Sequence, residues 1–388
     1  MFQWFKENIK GDRIIWLVVT ALSLWGVLAI YSSTSALAYI KQGGNTEYFL
    51  IKHCGILFMG FFLMWLTHLV DFQYYSRPAQ FLVYPAILLL IYTLVFGVGV
   101  NSAKRWITIP GVGLTFQSSD FAKLTLIMYI AHFLSKRQEN IGSFKKTFLP
   151  VLIVIVLVCG FIGVANLSTA VVLFATSLLL LFIGRIPMKY LGALFGVGSV
   201  VLALIIVVLL NTKYEGGRIA TWKSRIENYV DFAQGKDKTL SYQNEQANIA
   251  IAKGKLIGKG SGKSDQRNFL PLAFSDFIYA IIIEEYGLLG GIVLMLLYLV
   301  LLWRTVKIVI NAPKAFGALL AIGLSFALVI QAFMNMGVAV SLLPNTGLPL
   351  PFVSMGGTSL LFTSIAMGII LSVSRQTQNQ VKTEQHEQ

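Results

Sequence analysis

Residues 270–285 read Leu-Pro-Leu-Ala-Phe-Ser-Asp-Phe-Ile-Tyr-Ala-Ile-Ile-Ile-Glu-Glu. A long polar loop ends in this stretch, and an apolar run of membrane-spanning length begins there. Asp276 lies at the junction, and Glu284 and Glu285 lie two turns further along the predicted helix. Carboxylates within an apolar helix are energetically costly and need a structural or functional reason to be there. The stretch therefore predicts a membrane helix with a site at its beginning.

The composition of the whole chain is that of an integral membrane protein. Of its 388 residues, 56% are hydrophobic and 12% are charged, about half the charged fraction of a soluble protein. Cys54 and Cys159 lie in apolar runs and indicate neither a disulfide framework nor a metal site. The formal net charge of +14 is no evidence for nucleic-acid binding, because basic residues in such a chain must first be assigned to sides of the membrane.

The apolar runs predict an all-α polytopic membrane protein with about ten transmembrane helices, since each span needs roughly 20 residues. The predicted spans are 14–31, 48–69, 80–100, 119–135, 148–165, 169–187, 190–211, 276–303, 315–340 and 356–374. Residues 1–374 thus form a single membrane domain, with a large extracytoplasmic loop at 212–275 between the seventh and eighth spans. Residues 375–388, which are polar and rich in Gln, are predicted to be a disordered cytoplasmic tail.

The distribution of basic residues predicts that both termini are cytoplasmic. With the N-terminus inside, fifteen Lys and Arg residues lie on the inner side, and three lie in the short outer loops. Those three are Lys41, Lys104 and Arg105. This asymmetry fits the positive-inside rule, and long loops such as 212–275 are translocated largely regardless of their charge.

An outer segment before the fourth span is unusual for a simple connection. Residues 101–120 read Asn-Ser-Ala-Lys-Arg-Trp-Ile-Thr-Ile-Pro-Gly-Val-Gly-Leu-Thr-Phe-Gln-Ser-Ser-Asp, which is half apolar and predicts an interfacial segment rather than a span. Asp120 and Lys123 are i,i+3 neighbours and can pair. They are either a neutralised pair at a helix start or part of a site.

A second outer segment, residues 341–357, reads Ser-Leu-Leu-Pro-Asn-Thr-Gly-Leu-Pro-Leu-Pro-Phe-Val-Ser-Met-Gly-Gly. Its prolines exclude a regular helix, although the segment is apolar. Non-helical backbone at membrane depth is tolerated where protein covers it or where it lines a cavity. The segment is therefore either a stiff buried turn or the wall of a substrate groove.

The large outer loop carries two basic features. Arg218 and Arg225 are seven residues apart and would share a helix face, which suits either phosphate binding or a solvated basic surface. Residues 258–264, Gly-Lys-Gly-Ser-Gly-Lys-Ser, lack the first glycine of a phosphate-binding P-loop. We interpret them as a flexible turn.

The three carboxylates of the opening stretch have different predicted roles. Asp276 either caps the helix or serves a substrate at the outer surface. In a straight helix Glu284 and Glu285 point to other faces, and Glu285 lies about 13 Å deeper. We expect the two glutamates to form structural ion pairs with cations of other spans. The candidates are Lys52, His53 and Lys123.

These motifs together resemble the SEDS family, the FtsW/RodA-type peptidoglycan polymerases. Asn-Ser-Ala-Lys-Arg-Trp and Gln-Ser-Ser-Asp-Phe-Ala-Lys are similar to the family's Asn-Gly-Ala-Arg-Arg-Trp and Gln-Pro-Ser-Glu-x-x-Lys. Leu-Pro-Leu-Ala-Phe-Ser-Asp-Phe-Ile-Tyr resembles Leu-Pro-x-x-x-Thr-Asp-Phe-Ile-Phe, and residues 344–357 resemble Pro-x-Gly-x-x-x-Pro-x-x-Ser-x-Gly-Gly. The short chain and tail favour the FtsW-like division branch over the RodA-like elongation branch.

The resemblance implies glycosyl transfer with lipid II at the outer face of the bacterial cytoplasmic (inner) membrane. The resemblance implies that Asp276 is the general base that deprotonates the acceptor hydroxyl. The phosphates of the leaving group need cationic stabilisation. The implied substrate-binding residues are Lys104, Arg105, Asp120, Lys123, Arg218, Arg225, Ser354, Gly356 and Gly357. An inverting single displacement with undecaprenyl pyrophosphate as leaving group needs one carboxylate, whereas a retaining hydrolase needs two.

The sequence also departs from the family at several of these positions. The family's Pro-Asp-Leu-Gly-Thr is Ala-Asn-Leu-Ser-Thr here, so Asn166 and Ser168 replace an aspartate and a glycine. The usual glutamate is Asp120, and the first arginine of the Arg-Arg pair is Lys104. Any role that the family's aspartate has does not carry over to Asn166.

The resemblance implies partners as well as a reaction. These are lipid II, a class B penicillin-binding protein that crosslinks the glycan, other division proteins and the membrane, but no nucleic acid. A divalent cation, Mg or Mn, is left open by the acidic neighbours Asp237 and Asp265, although no ligand spacing marks a metal site. Two alternatives to the polymerase are a flippase or transporter of the lipid-linked precursor and a division scaffold.

Overall fold

Apolar helices occupy the positions of all ten predicted spans. The structure is a computed structural model that describes residues 10–34, 37, 39, 43, 45–100, 103–108, 115–211, 242–271 and 273–386. Its helices are α1 Arg13–Ser33, α2 Thr46–Leu69, α3 Phe72–Phe96, α4 Ser118–Lys136, α5 Leu149–Ala165, α6 Leu167–Ile183, α7 Met188–Asn211, α8 Tyr242–Gly254, α9 Ile278–Ile310, α10 Ala315–Ala339 and α11 Thr358–His386. Within these ranges, seven helices are long and apolar enough to cross a membrane, so the chain is a multi-pass helical membrane protein.

The bundle has two distinct ends. At one, the terminal end, the beginning of α1 meets the end of α9, where the Arg304 Nε donates to Asp12 Oδ2 over 2.9 Å. At the same end, Arg375 of α11 donates to the Leu69 carbonyl at the end of α2 over 2.9 Å. The opposite end, the site end, carries the turn that contains Asp276.

A small antiparallel sheet lies at the site end between α3 and α4. Its strands are β1 Val98–Val100, β2 Ala103–Thr108 and β3 Thr115–Gln117, in the order β1-β2-β3. Trp106 pairs with Gln117 across β2 and β3, and the Gln117 amide donates to Thr358 Oγ1 over 3.3 Å. Strand pairing thus satisfies backbone groups of the interfacial segment that the sequence left without regular structure.

The helix that follows Asp276 is broken at Gly287, where φ is 73° and ψ is −178°. A left-handed φ of this kind is readily adopted by glycine. The 23 residues after the break, 288–310, already extend about 35 Å and can span a bilayer. The half before it, 278–286, packs against α8 and residues 255–258, and the Leu288 amide donates to the Lys255 carbonyl over 2.9 Å. The predicted span 276–303 is therefore not one straight helix, because it is broken at Gly287.

The end of the chain also differs from the sequence prediction. Helix α11 continues to His386, although residues 375–388 were expected to be disordered. Thr377 remains buried, and its hydroxyl donates to the Val373 carbonyl over 3.0 Å. Together with the Arg375 contact to α2, this extends the packed face of α11 beyond the predicted span.

Helix α1 approaches residues 341–357 closely at Gly26. A Cβ atom at this position would lie 2.7 Å from the Phe352 carbonyl oxygen and 2.9 Å from Val353 Cα. Both atoms belong to backbone and cannot rotate away. Gly55 of α2 provides a matched control, because a Cβ atom there would meet nothing within 4 Å.

We predict that Gly26→Ala lowers the free energy of unfolding by about 1–3 kcal/mol relative to Gly55→Ala, the usual cost of overpacking. Thermal unfolding of the two purified variants in the same detergent measures the difference. Equal unfolding temperatures for both variants would contradict the close approach of α1 to residues 341–357.

Candidate active site

Asp276 lies in the turn immediately before α9. The helix begins at Ile278 and its N-cap position is Phe277, so Asp276 is not the cap that the sequence allowed. Its side chain is half-buried, and Ser275 Oγ donates to its Oδ1 over 2.9 Å. A Cβ atom on Gly347 would lie 3.5 Å from Asp276 Oδ2, so the carboxylate faces residues 341–357.

Residues 341–357, here the proline segment, are held by polar side chains of two helices. Asn335 Nδ2 donates to the Leu348 carbonyl over 2.7 Å and Gln331 Nε2 to the Pro349 carbonyl over 2.9 Å. The Tyr298 hydroxyl donates to the Pro351 carbonyl over 2.5 Å. These donors satisfy carbonyls that neither a helix nor a sheet pairs.

Asn335 joins the proline segment to the turn of the candidate base. The same Nδ2 that contacts the Leu348 carbonyl also donates to the Asp276 carbonyl over 2.8 Å. A second connection runs through Ser354, whose hydroxyl donates to the Ser275 carbonyl over 2.6 Å and accepts from the Leu350 amide over 2.8 Å. The backbone of Asp276 is therefore held by hydrogen bonds to two carbonyls, its own and that of Ser275.

The predicted substrate-binding residues of the proline segment lie in different surroundings. Ser354 is buried, and the two hydrogen bonds of its hydroxyl give it a positioning role. Gly357 is exposed and has a φ of 55°, and Gly356 lies close to Ser359 and Pro349. Contacts of Gly356 and Gly357 with substrate stay predictions.

Asp120 and Lys123 form the ion pair that their spacing predicted, with 2.8 Å between Lys123 Nζ and Asp120 Oδ1. Lys123 Nζ also donates to Gln331 Oε1 over 3.3 Å, which connects the pair to the proline segment. The Asp120 side chain is only 3% exposed. Such a buried carboxylate depends on its cation for compensation.

A cavity of about 60 Å³ begins at this ion pair and continues between α4, α6, α10 and α11. Asp120, Lys123 and Gln331 form its polar end together with Pro351. Its remaining walls are mainly apolar. The residues there include Ile127, Leu173, Leu324, Leu328, Phe362 and Ala366. The structure thus places a charged pair at one end of a small, mainly apolar cavity, next to the proline segment.

The two cations of the sheet, Lys104 and Arg105, contact the ends of membrane helices. Lys104 Nζ donates to the Val95 carbonyl over 2.5 Å, and Arg105 Nε donates to the Ala165 carbonyl over 3.1 Å. Cations at helix C-termini are favourable, because the last carbonyls carry partial negative charge. This arrangement is structural, and phosphate contacts of Lys104 and Arg105 stay predictions. Arg218 and Arg225 lie outside the described residues.

Glu284 is fully buried and receives four donors from residues 259–266. They are Lys259 Nζ at 2.8 Å, Ser264 Oγ at 2.5 Å, and the amides of Asp265 and Gln266 at 3.2 Å each. The expected structural ion pair therefore exists, but its cation is Lys259 and none of the span residues proposed from sequence. The Gly/Lys turn at 258–264, which we expected to be flexible, holds this glutamate.

Glu285 accepts a hydrogen bond from Ser32 Oγ of α1, and Lys52 is exposed on α2. Pairing of the glutamates with Lys52 is therefore wrong. The partners come instead from the outer loop, which supplies Lys259 to Glu284, and from the end of α1, which supplies Ser32 to Glu285.

Lys259 extends this cluster to the surface. Its ammonium also contacts Asp265 Oδ2 at 2.6 Å. The hydrogen bond from Lys259 lowers the pKa of the Asp265 carboxyl, and the hydrogen bonds to Asp265 and Glu284 raise the pKa of Lys259. Because the carboxyl pKa is lowered on folding, the contribution of Asp265 is present at neutral pH and is lost as the pH falls through the folded-state pKa.

Comparisons with known proteins identify the family of the chain. The family model described as "Cell cycle protein", FtsW/RodA/SpoVE, matches residues 12–379. The chain belongs to the FtsW/RodA/SpoVE family. The resemblance drawn from three motifs is thereby confirmed over almost the whole chain.

Relatives within the FtsW/RodA/SpoVE family match most of the length of the chain. A probable peptidoglycan glycosyltransferase FtsW of Geobacter metallireducens is 34% identical, covering 95% of this chain and 97% of its own. Stage V sporulation protein E of Bacillus subtilis is 32% identical, covering 95% and 98%.

Solved structures support the same fold. Rod shape determining protein RodA of Thermus thermophilus superposes with a TM-score of 0.68 at 25% identity, covering 94% of this chain and 97% of its own. A chain from a peptidoglycan synthase complex that coordinates polymerization and crosslinking superposes with a TM-score of 0.74 at 24% identity, covering 95% and 98%.

The departure from the family motif at Asn166 has a local structural account. Asn166 lies between α5 and α6, and its Oδ1 accepts from the Thr169 amide over 3.5 Å. Asparagine caps helices about as well as aspartate. The beginning of α6 therefore keeps its cap without the carboxylate.

Sequence reasoning missed the side chains that hold the proline segment. Gln331 and Asn335 are one helical turn apart in an otherwise apolar run. Two amides at i and i+4 in a membrane span are a recognisable signal, because each needs a partner inside the bundle. Tyr298 carries less information, since tyrosine is common in apolar helices near interfaces.

The Asp120–Lys123 pair yields a prediction about stability. Lys123→Met leaves the buried Asp120 carboxylate without its cation and should cost about 3–5 kcal/mol in the free energy of unfolding. The double variant Asp120→Asn/Lys123→Met removes both charges and should recover most of that loss. Unfolding of the wild-type and variant proteins in detergent measures both effects, and a Lys123→Met protein as stable as wild type would refute the structural pair.

Proposed function

We propose that this protein is a peptidoglycan glycosyltransferase that polymerises lipid II at the outer face of the bacterial cytoplasmic membrane during cell division. The observation that carries the proposal is the fixed position of Asp276, held by Asn335, Ser275 and Ser354 beside the proline segment. The names of the FtsW relatives support the activity, and FtsW relatives matched over 94–95% of the chain support the division branch.

In the proposed reaction Asp276 accepts the proton of a sugar hydroxyl. The hydroxyl oxygen then forms a bond with the anomeric carbon of the second, lipid-linked sugar. The bond from that carbon to the phosphate oxygen breaks, and its electron pair leaves with undecaprenyl pyrophosphate. A single displacement of this kind inverts the anomeric configuration and needs one base, which matches a single carboxylate in the turn before α9.

The site end offers separate places for the polar and apolar parts of such a substrate. The ion pair of Asp120 and Lys123 lies at the polar end of the cavity, and its apolar walls between α4, α6, α10 and α11 offer contacts to no more than a small part of a prenyl chain. Charge on the leaving pyrophosphate needs cations. The basic residues proposed for that role are Lys104, Arg105, Arg218 and Arg225.

The proposal includes a partner and leaves a place for a cation. The proposed partner is a class B penicillin-binding protein that crosslinks the glycan. This chain has the same fold as a chain from a complex that coordinates polymerization and crosslinking, which supports such a partner. In the described part of the chain, no group of three His, Cys, Asp or Glu side chains is placed to hold a metal. A Mg or Mn ion at Asp276 would take further oxygen ligands from water and substrate phosphates.

The transporter alternative has less support in the geometry. It required Lys52, His53, Glu284 and Glu285 to line one path through the membrane. In the structure Lys52 is exposed, His53 is buried in α2, and the glutamates bind the outer loop and α1. No observation on the described residues favours the scaffold alternative over an enzyme.

We predict that Asp276→Asn reduces lipid II polymerisation by purified protein about 10²- to 10⁴-fold, the usual contribution of a general base. Asparagine keeps the size of the side chain but cannot accept the proton. Glu245→Gln removes an exposed carboxylate of α8 and should polymerise at the wild-type rate.

Polymerisation of labelled lipid II, measured as glycan chains formed per minute with the same partner protein, compares the three proteins. An Asp276→Asn protein that unfolds at the wild-type temperature and polymerises at the wild-type rate would remove Asp276 as the base.

A further inference from the structure

A second cavity, of about 500 Å³, lies at the terminal end of the bundle between α3, α4 and α10. Its lining includes three cations, which are Arg77 of α3, Lys136 at the end of α4 and Lys314 just before α10. Neither the motifs of the active site nor the proposed reaction uses these residues.

This basic cavity, as we name it, lies across the membrane from Asp276. Lys136 follows Asp120 by sixteen residues on α4, so the two are about 24 Å apart along the helix axis. Lys314 precedes Asn335 by twenty-one residues on α10, a separation of about 31 Å along that axis. These distances match the thickness of the hydrocarbon core, which places the basic cavity at the opposite membrane surface.

The cations of the basic cavity have no carboxylate partner among the described residues. Within the ranges that the structure describes, Arg77, Lys136 and Lys314 form no ion pair. The one carboxylate in the lining, Asp71, accepts from the Gln73 amide over 2.9 Å as the N-cap of α3. Lys314 Nζ donates to Gln73 Oε1 over 2.6 Å, which holds this lysine at the cavity. The lining has a formal net charge of +2, from three cations and one carboxylate.

An apolar stripe on α3 leads from the basic cavity into the membrane. Tyr74 lines the cavity and is 67% exposed, and Phe81 and Leu88 follow at intervals of seven residues with 64% and 66% exposure. Residues seven apart share a helix face, so the stripe extends about 21 Å along α3. A tyrosine beside the charges and apolar side chains beyond it are typical of a lipid-facing surface at headgroup level.

We propose that the basic cavity binds the phosphate-bearing headgroup of an anionic phospholipid, whose acyl chains lie along the stripe of Tyr74, Phe81 and Leu88. Basic pockets between transmembrane helices bind such headgroups, and a net charge of +2 matches one or two phosphodiesters. A free phosphate ion would satisfy the charges but not the stripe, so the observations favour the lipid. This site is independent of the glycosyl transfer proposed for the site end.

The test uses the full-length protein in nanodiscs of phosphatidylcholine that contain a minor fraction of cardiolipin or phosphatidylglycerol. Native mass spectrometry counts the anionic lipids that remain bound to the protein after it is released from the nanodisc. Lys136→Gln/Lys314→Gln removes two charges of the basic cavity. Lys145→Gln/Lys146→Gln removes two exposed charges from the turn before α5, at the same end of the bundle and outside the cavity.

We expect the cavity variant to bind anionic lipid about fivefold more weakly for each lysine removed, and the control variant to retain it like wild type. Equal retention of anionic lipid by the wild-type and cavity-variant proteins would overturn the proposal. Equal losses in the cavity and control variants would also overturn it, because they would show only a general electrostatic attraction between basic residues and anionic lipids.

A second arm separates lipid from free anion. Inorganic phosphate is added to wild-type protein in pure phosphatidylcholine nanodiscs, and thermal unfolding is measured. We expect no stabilisation by inorganic phosphate and stabilisation by cardiolipin or phosphatidylglycerol. Stabilisation by phosphate equal to that by the lipids would contradict the lipid headgroup site. Unfolding of the cavity variant in pure phosphatidylcholine at the wild-type temperature shows that its loss of lipid binding is not a loss of folding.

Discussion

The structure of the site end depends on one constraint: the backbone carbonyls of the proline segment need hydrogen-bond donors from other parts of the chain. Backbone inside a membrane protein must find hydrogen bonds, and prolines prevent this segment from finding them in a helix. Asn335, Gln331 and Tyr298 supply the donors for Leu348, Pro349 and Pro351. Three side chains on two helices therefore determine where an irregular, mostly buried segment lies.

The same hydrogen bonds give the candidate base its place. The Asn335 side-chain amide donates both to the proline segment and to the Asp276 carbonyl. Gln331 contacts both the proline segment and Lys123, which lies at the polar end of the apolar cavity. The turn that contains Asp276, the charged pair and the cavity are thus connected through neighbouring turns of α10. A general base must be held within hydrogen-bond reach of its proton, and this arrangement provides such positioning without placing Asp276 inside a regular helix.

Sequence patterns predicted the parts of this account that depend on composition and local motif. Apolar runs located the helices, and the Asp276 motif marked the turn before α9. The partners of Glu284 could not be predicted in the same way, because a helix break at Gly287 and a contact between residues 259 and 284 depend on tertiary packing. A glycine in an apolar run does not reveal a left-handed φ. A polar tail likewise does not reveal that α11 continues to His386 or that Arg375 contacts the Leu69 carbonyl at the end of α2.

The most direct measurement of the central claim is the kinetics of lipid II polymerisation by Asn335→Ala, a positioning variant that never touches the reacting atoms. Loss of the amide leaves the Asp276 and Leu348 carbonyls without their donor, at a cost of about 1–3 kcal/mol. We predict a lower kcat with little change in KM, and a pH–rate profile that keeps its wild-type shape because Asp276 is still the base. A folded Asn335→Ala protein with wild-type kcat would contradict the claim that the proline segment positions Asp276.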